Sequence, residues 1–275
     1  MKQILNHSNK IEILDISDTH VGSVSALLPD KATRVIDGSQ SSAVPQNRIQ
    51  RLLWQLFLRD LSKVGKVDVV INNGDNIEGQ QLKIAGRTLM DSDVDSQIEW
   101  ALQVQQKVID TVKPKFYIGC AGTDYHVTTS GNADLQIYKR LEAANPSIDF
   151  TYEDIVEIQI GKMAWSIAHP VPTSEMILPP LEKLIKQHAT ECYLGNAEKI
   201  RVFSRGHAHS FVWSALRGNN YAFIVPCWQP TSKYGRSKAY LTVRKPDVGL
   251  LKITQVGEQL TPSIYLHPEV HNIIN

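Results

Sequence analysis

The sequence predicts an α/β protein, two mixed β-sheets packed face to face with helices outside, folded as one domain over residues 1–275. Three observations point there. The first half alternates short apolar runs with segments of helical periodicity. After about residue 148 the texture changes to closely spaced strand-like runs. Aspartates and histidines follow the ends of the runs, where a sheet delivers side chains to one edge.

In chain order, the run KIEILDI alternates and ends at Ser17-Asp18, which suits a strand feeding a functional loop. Residues 22–45 read as a long irregular loop lining a cleft. Helical periodicity is expected over about 46–63, and again over 93–111, where the pattern stops before Pro114. Residues 67–72 (VDVVIN) and 115–120 (KFYIGC) read as strands between these helices, and a third helix is expected from Ala133 to Ala144. Strands separated by such helices imply parallel pairing through right-handed crossovers. In the second half, 154–160, 163–168, 199–205, 220–225, 238–244 and 249–255 read as strands and 175–190 as a helix. Gly161-Lys162 turns a hairpin between the first two of these strands.

Composition narrows the function. The chain is 42% hydrophobic and 21% charged, which suits a packed core and excludes a disordered chain. No apolar run approaches the roughly 20 residues needed to span a bilayer. Met1–Asn9 is polar and lacks the apolar core of a signal peptide. Three isolated cysteines, Cys120, Cys192 and Cys227, fit reduced thiols, and together these features predict a cytoplasmic protein that avoids membranes. A net charge of +1 gives no overall attraction to polyanions, but Lys199–Lys245 carries nine cations and no Asp or Glu. GxxxxGK[ST], GxGxxG and GxSxG strings are absent, so nucleoside triphosphate binding, dinucleotide binding and serine-hydrolase chemistry are not indicated.

What remains is a dispersed constellation: Asp18-Thr19-His20, Gly74-Asp75-Asn76, Gly122-Thr123-Asp124-Tyr125-His126, His169-Pro170 and Gly206-His207-Ala208-His209. Carboxylates supply hard oxygen ligands and imidazoles complete a coordination shell, so this set predicts two divalent cations and hydrolysis of a phosphate ester. Asp75 after Gly74 is expected to bridge the cations. Asp18 and His20, and likewise His207 and His209, are spaced to project to one side of an extended chain.

In this order the motifs resemble the calcineurin-like metallophosphoesterase superfamily, over about residues 11–210. The resemblance implies a four-layer αββα sandwich and two metals, commonly Mn, Fe, Zn or Ni. It would place Asp18, His20 and His209 on the first metal, Asp75 between the two, and His169 and His207 on the second. The third motif departs from the family's Gly-Asn-His-Asp/Glu. Either His126 contacts the scissile phosphate as an acid, with Asp124 or Thr123 replacing the asparagine ligand, or His126 itself ligates the metal. Gly122-Thr123-Asp124-Tyr125-His126, Leu28-Pro29 and Cys227-Trp228-Gln229-Pro230 also resemble phage and prophage metallophosphoesterases.

The string Gly74-Asp75-Asn76-Ile77-Glu78-Gly79 lacks the arginine that protein phosphatases use to clamp a phosphomonoester, which favours a diester. Aromatics interleaved with the cations suit stacking on nucleobases. Asn76, Trp228, Lys233 and Arg236 are therefore expected on the substrate side, with a nucleic acid or nucleotide as substrate; a broad-specificity phosphomonoesterase and a degenerate metal-binding scaffold are the alternatives. Manganese is the expected metal.

Overall fold

A computed structural model of the chain describes residues 1–36, 40–80, 86, 88–123, 132–170, 178–195, 199–216, 219–230 and 245–274. Its first sheet is built from β2 (Lys10–Ile16), β5 (Val69–Asn72), β6 (Phe116–Cys120), β7 (Asp149–Glu153), β13 (Gly249–Val256) and β14 (Gln259–Leu266). The order is β14-β13-β2-β5-β6-β7, with β2, β5, β6 and β7 parallel and the β13–β14 hairpin added antiparallel to β2. The second sheet comprises β1 (Lys2–Ile4), β8 (Ile155–Ile160), β9 (Met163–Ala168), β10 (Val202–Arg205), β11 (Val212–Leu216) and β12 (Asn220–Ile224). Its order is β1-β8-β9-β10-β12-β11, and β9, β10 and β12 run parallel.

Three apolar layers account for the stacking. Ile13, Val69, Ile71 and Ile118 of the first sheet meet Val156, Trp165, Ile167 and Phe223 of the second. The first sheet's other face, including Leu14, Val70 and Tyr117, is covered by α1 (Arg48–Val64), α2 (Val94–Val112) and α3 (Ala133–Ala144). The second sheet's other face packs Phe203, Ala222 and Ile224 on Leu181 and Ile185 of α4 (Leu178–Tyr193). Four layers, αββα, follow, as the sequence predicts. Strands covered on both faces need no alternation, which is why VVIN and MAWSIA are buried at every position.

The helices start where local chemistry says they should. Asn47 caps α1 in a box with Gln50, Asp93 accepts from Ser96 N–H at α2, and Asn132 accepts from Leu135 N–H at α3. Each carries an oxygen to amides that the first turn leaves unpaired.

Several expectations change. Residues 22–45 are not wholly irregular: β3 (Thr33–Ile36) and β4 (Gln40–Ala43) form a separate two-stranded ribbon. The β-branched content of TRVI favours strand, and Trp100 Nε1 donates to Thr33 O at 2.7 Å, tying the ribbon to α2. The strands β1, β7, β11 and β14 carry no strand signal in the sequence because all four are sheet edges, half-exposed and without an apolar run. The strand expected at 238–244 lies outside the described residues. Among the described residues no helix is long and apolar enough to cross a membrane.

Trp165, fully buried between the sheets, tests the layering. Trp165→Ala is expected to cost about 3–5 kcal/mol, read as a lower urea midpoint. A loss below about 1 kcal/mol would mean that the inter-sheet layer is not packed as described.

Candidate metal centre

Five strand ends converge. β2 runs into Asp18 and His20, β5 into Asp75, β6 into Gly122-Thr123, β9 into His169 and β10 into His207 and His209. Neighbouring strand ends are stitched by backbone bonds. Asp18 N–H donates to Gly74 O at 3.1 Å, His20 N–H to Asp75 O at 3.1 Å, and Gly206 N–H to His169 O at 3.1 Å. Trp228 N–H donates to Asp18 O at 3.0 Å, so the segment after β12 also holds the first motif.

The backbone here is unusual. Asp18, His20, Asp75, His207 and His209 have φ of 52°, 43°, 50°, 67° and 49°. Among the described residues only Leu5, Lys113 and Asn219 share that left-handed region without being glycine. Each such residue costs of order 1–3 kcal/mol, and such strain concentrates at functional sites. The extended geometry expected for Asp18-x-His20 and His207-x-His209 is thus corrected: the first and third residue of each motif take left-handed backbone, and their side chains meet at the site. Close approach requires Gly122, because a Cβ there would lie 2.1 Å from Asp75 Oδ1. Gly206 is under the same constraint, 2.2 Å from Ser17 Oγ.

Two triads result, Asp18-His20-His209 and Asp75-His169-His207, and within each triad the donor atoms lie within 4.8 Å of one another. His20 Nε2 and His209 Nε2 are 3.0 Å apart. Asp18 Oδ1 lies 3.2 Å from His209 Nε2, 3.5 Å from His20 Nε2 and 3.9 Å from His169 Nε2. His169 Nε2 and Asp75 Oδ2 are 2.9 Å apart, and yet this nitrogen makes no hydrogen bond, nor does Asp18 Oδ1. Buried donor atoms such as Asp18 Oδ1 and His169 Nε2, brought beside their neighbours without a hydrogen bond, suit a shared cation. With bonds of about 2.0–2.2 Å, neighbouring ligands stand about 3.0–3.5 Å apart, which matches these spacings. The residues fit two divalent cations. Asp18 Oδ1 approaches imidazoles of both triads, so by distance a bridging position falls to Asp18 as readily as to Asp75, the residue expected there.

Buried partners aim the ligands. Glu78 Oε2 pairs with His20 Nδ1 at 3.1 Å and accepts from Gln229 Nε2 at 2.7 Å, which sets a buried carboxylate behind the His20 ring. His169 Nδ1 and Asn73 O are 2.6 Å apart; the carbonyl can only accept, so Nδ1 carries the proton and Nε2 faces Asp75. Asp18 Oδ2 accepts from Ser17 Oγ and from His207 N–H. Asp134 accepts from Asn76 N–H and side chain and from Gly122 N–H, joining the loops after β5 and β6. Neither Glu78 nor Asp134 carried an expected role. Asp134 sits in the first turn of α3, two residues after its Asn132 cap, and nothing in its spacing distinguishes it from an ordinary helix-start acid.

The electrostatics favour cations. Burial opposes ionisation of Asp18, but His169, His209 and His20 hold its carboxyl well below the usual range. Burial likewise opposes charge on His20, yet Asp18 and Glu78 raise it to about 10. Asp75 and Asp18 overcome burial at His169 and raise it to about 9. His207 moves the other way, lowered by burial and by His169. It is the exposed member of its triad, and so marks the mouth of the site.

The remaining expected residues divide. Thr123 donates N–H to Asp75 Oδ1 at 2.7 Å, and its hydroxyl lies 3.2 Å from the same oxygen. It grips the carboxylate from the end of β6. Asn76 is fully buried, its Oδ1 accepting from Asn72 and Gln105 at 2.8 Å each, so it braces the loop rather than meeting substrate. Trp228 is also fully buried, edge-on to Phe57, and cannot offer a stacking face. Asp124, His126, Lys233 and Arg236 lie outside the described residues.

No protein-family model and no curated protein sequence matches the chain. Solved structures are similar to it. Among them are Vps29 from Entamoeba histolytica complexed with zinc (12% identity, 93% of this chain and 99% of that one, TM-score 0.43) and a metallophosphoesterase from Sphaerobacter thermophilus (11%, 94% and 90%, 0.41). A dimetal phosphatase from Danio rerio is similar too (9%, 92% and 95%, 0.43).

The raised imidazole values set a pH dependence. In metal-free protein a histidine raised from 6.5 to about 9–10 contributes stability that is full below 6.5 and lost as pH rises through the folded value. Protons and cations compete for the same nitrogens, so manganese affinity by chelator competition should climb about tenfold per pH unit between 6.5 and 8.5 for each proton displaced. A flat affinity over that range would contradict the assigned ligands.

Proposed function

We propose that this chain is a metal-dependent phosphoester hydrolase, and specifically a phosphodiesterase acting on a nucleic acid or nucleotide. One observation carries the reading. Two triads of one carboxylate and two imidazoles are held side by side at converging strand ends, with left-handed backbone at five of the six ligands. Asp18, His20 and His209 would hold one cation, and Asp75, His169 and His207 the other. Bound divalent cations supply Lewis acidity toward phosphate oxygens and lower the pKa of a water into the neutral range.

The chain's own groups supply the rest. Glu78 sets a buried carboxylate behind the His20 ring, and the Asn73 carbonyl fixes which imidazole nitrogen faces inward at His169. Thr123 holds Asp75 against rotation. His207, exposed at the mouth, lies where substrate enters. His126, three residues past Thr123, is assigned the proton delivered to the departing oxygen.

The diester preference is supported by the lack of a phosphate-clamping arginine in Gly74–Gly79. The guanidinium nearest the ligand motifs in sequence, Arg205, donates instead to Ser166 O at 2.7 Å, Ser204 O at 2.8 Å and Ser166 Oγ at 3.0 Å. Lys233 and Arg236, in a stretch rich in cations, suit a sugar–phosphate backbone. The Gly122–His126 and Cys227–Pro230 strings favour a phage or prophage setting. None of the three cysteines forms a disulfide, which fits the cytoplasm.

With manganese, turnover of bis-nitrophenyl phosphate is expected to exceed that of mono-nitrophenyl phosphate, and Asp75→Asn should lower kcat by at least about 100-fold. A faster monoester rate would reverse the substrate class. The absence of turnover with Mn, Fe, Zn and Ni alike would remove the enzymatic reading.

A further inference from the structure

Beneath the site, the apolar layer between the sheets contains a carboxylate. Asp15 lies on β2 on the same face as Ile11 and Ile13, fully buried, opposite Ile71 of β5 and Leu251 of β13. Its oxygens are divided between the two sheets. Oδ1 accepts from Asn73 Nδ2 at 2.6 Å, and Oδ2 accepts from Ser204 Oγ of β10 at 2.6 Å. Asn73 Nδ2 also donates to Ser204 Oγ at 3.0 Å, which closes a triangle. A carboxyl in such a layer is costly to bury and is retained only where its bonds matter. Asn73 commits its amide nitrogen to this triangle although its own Oδ1 is left buried without a partner, a second cost.

Asn73 is also the residue whose backbone carbonyl takes His169 Nδ1. Its N–H donates to Ile16 O at 2.9 Å, so peptide and side chain are both fixed. We propose that Asp15 is a positioning residue for the metal centre: through Asn73 it fixes the carbonyl that orients His169, and through Ser204 it locks that orientation to the second sheet. This rests on reading Asp75, His169 and His207 as ligands. Asp15 hydrogen-bonds to none of them and lies three residues before Asp18, so it acts only by way of Asn73 and Ser204.

The test is manganese affinity by chelator competition on the full-length protein, with thermal unfolding in EDTA as the measure of fold. Asp15→Ala is expected to weaken the weaker of two manganese sites by about 10–100-fold. Asp15→Asn, which keeps an acceptor for Asn73 Nδ2, should restore affinity to within about threefold of wild type. Should Asp15→Ala not fold, Ser204→Ala removes one side of the triangle and is expected to weaken that site about threefold or more. A merely structural Asp15 would lower the unfolding temperature and leave affinity unchanged, and that result overturns the proposal. So would an Asn variant as weak as the Ala variant. Wild-type protein that binds no manganese would remove the metal reading itself, whereas two tight sites in both wild type and Asp15→Ala would remove only the role of Asp15.

Discussion

The centre depends on left-handed turns at strand ends. A β-strand throws alternate side chains to opposite faces, so a strand that simply continued past Ile16 or Arg205 would scatter its acids and imidazoles. At Asp18, His20, Asp75, His207 and His209 the chain instead enters a region that L-residues avoid, with φ between 43° and 67°. The cost, of order 1–3 kcal/mol per residue, is sustained because β2, β5, β9 and β10 are locked by ladders and apolar layers on both faces. The two sheets act as a rigid mount, and among the described residues five of the eight non-glycine positions with left-handed backbone belong to the residues that have to meet.

Charge explains the arrangement behind those turns. Asp18 and Asp75 are buried carboxylates, and in the metal-free protein Asp18 with Glu78 holds a proton on His20, and Asp75 with Asp18 holds one on His169, against the cost of burial. The same field that retains protons attracts divalent cations. The triads are not equivalent. Asp18-His20-His209 has Glu78 behind it, whereas Asp75-His169-His207 opens to solvent at His207 and is braced by Thr123. This asymmetry favours a firmly held cation in the first triad and an accessible one in the second.

The six acids and imidazoles that converge were legible because their side chains carry the chemistry and each follows a run of buried strand. The groups aiming them were much less so. Glu78, Asn73, Asp15, Ser204 and Asp134 belong to residue types common on surfaces, and only three-dimensional proximity distinguishes them. Trp228 misled for a related reason. An aromatic among lysines and arginines reads as a stacking platform, but here it packs on Phe57 and contributes a backbone N–H to Asp18. The layers were readable from apolar runs, whereas edge strands such as β7 and β11, half-exposed and short, carry no such pattern.

The most direct measurement is an anomalous-scattering map from crystals of the protein grown with manganese. Two peaks are expected, one within about 2.0–2.3 Å of donor atoms of Asp18, His20 and His209, and one equally close to those of Asp75, His169 and His207. A map with no peak at these strand ends, or with manganese bound only elsewhere on the chain, would contradict the metal centre and the hydrolysis built on it.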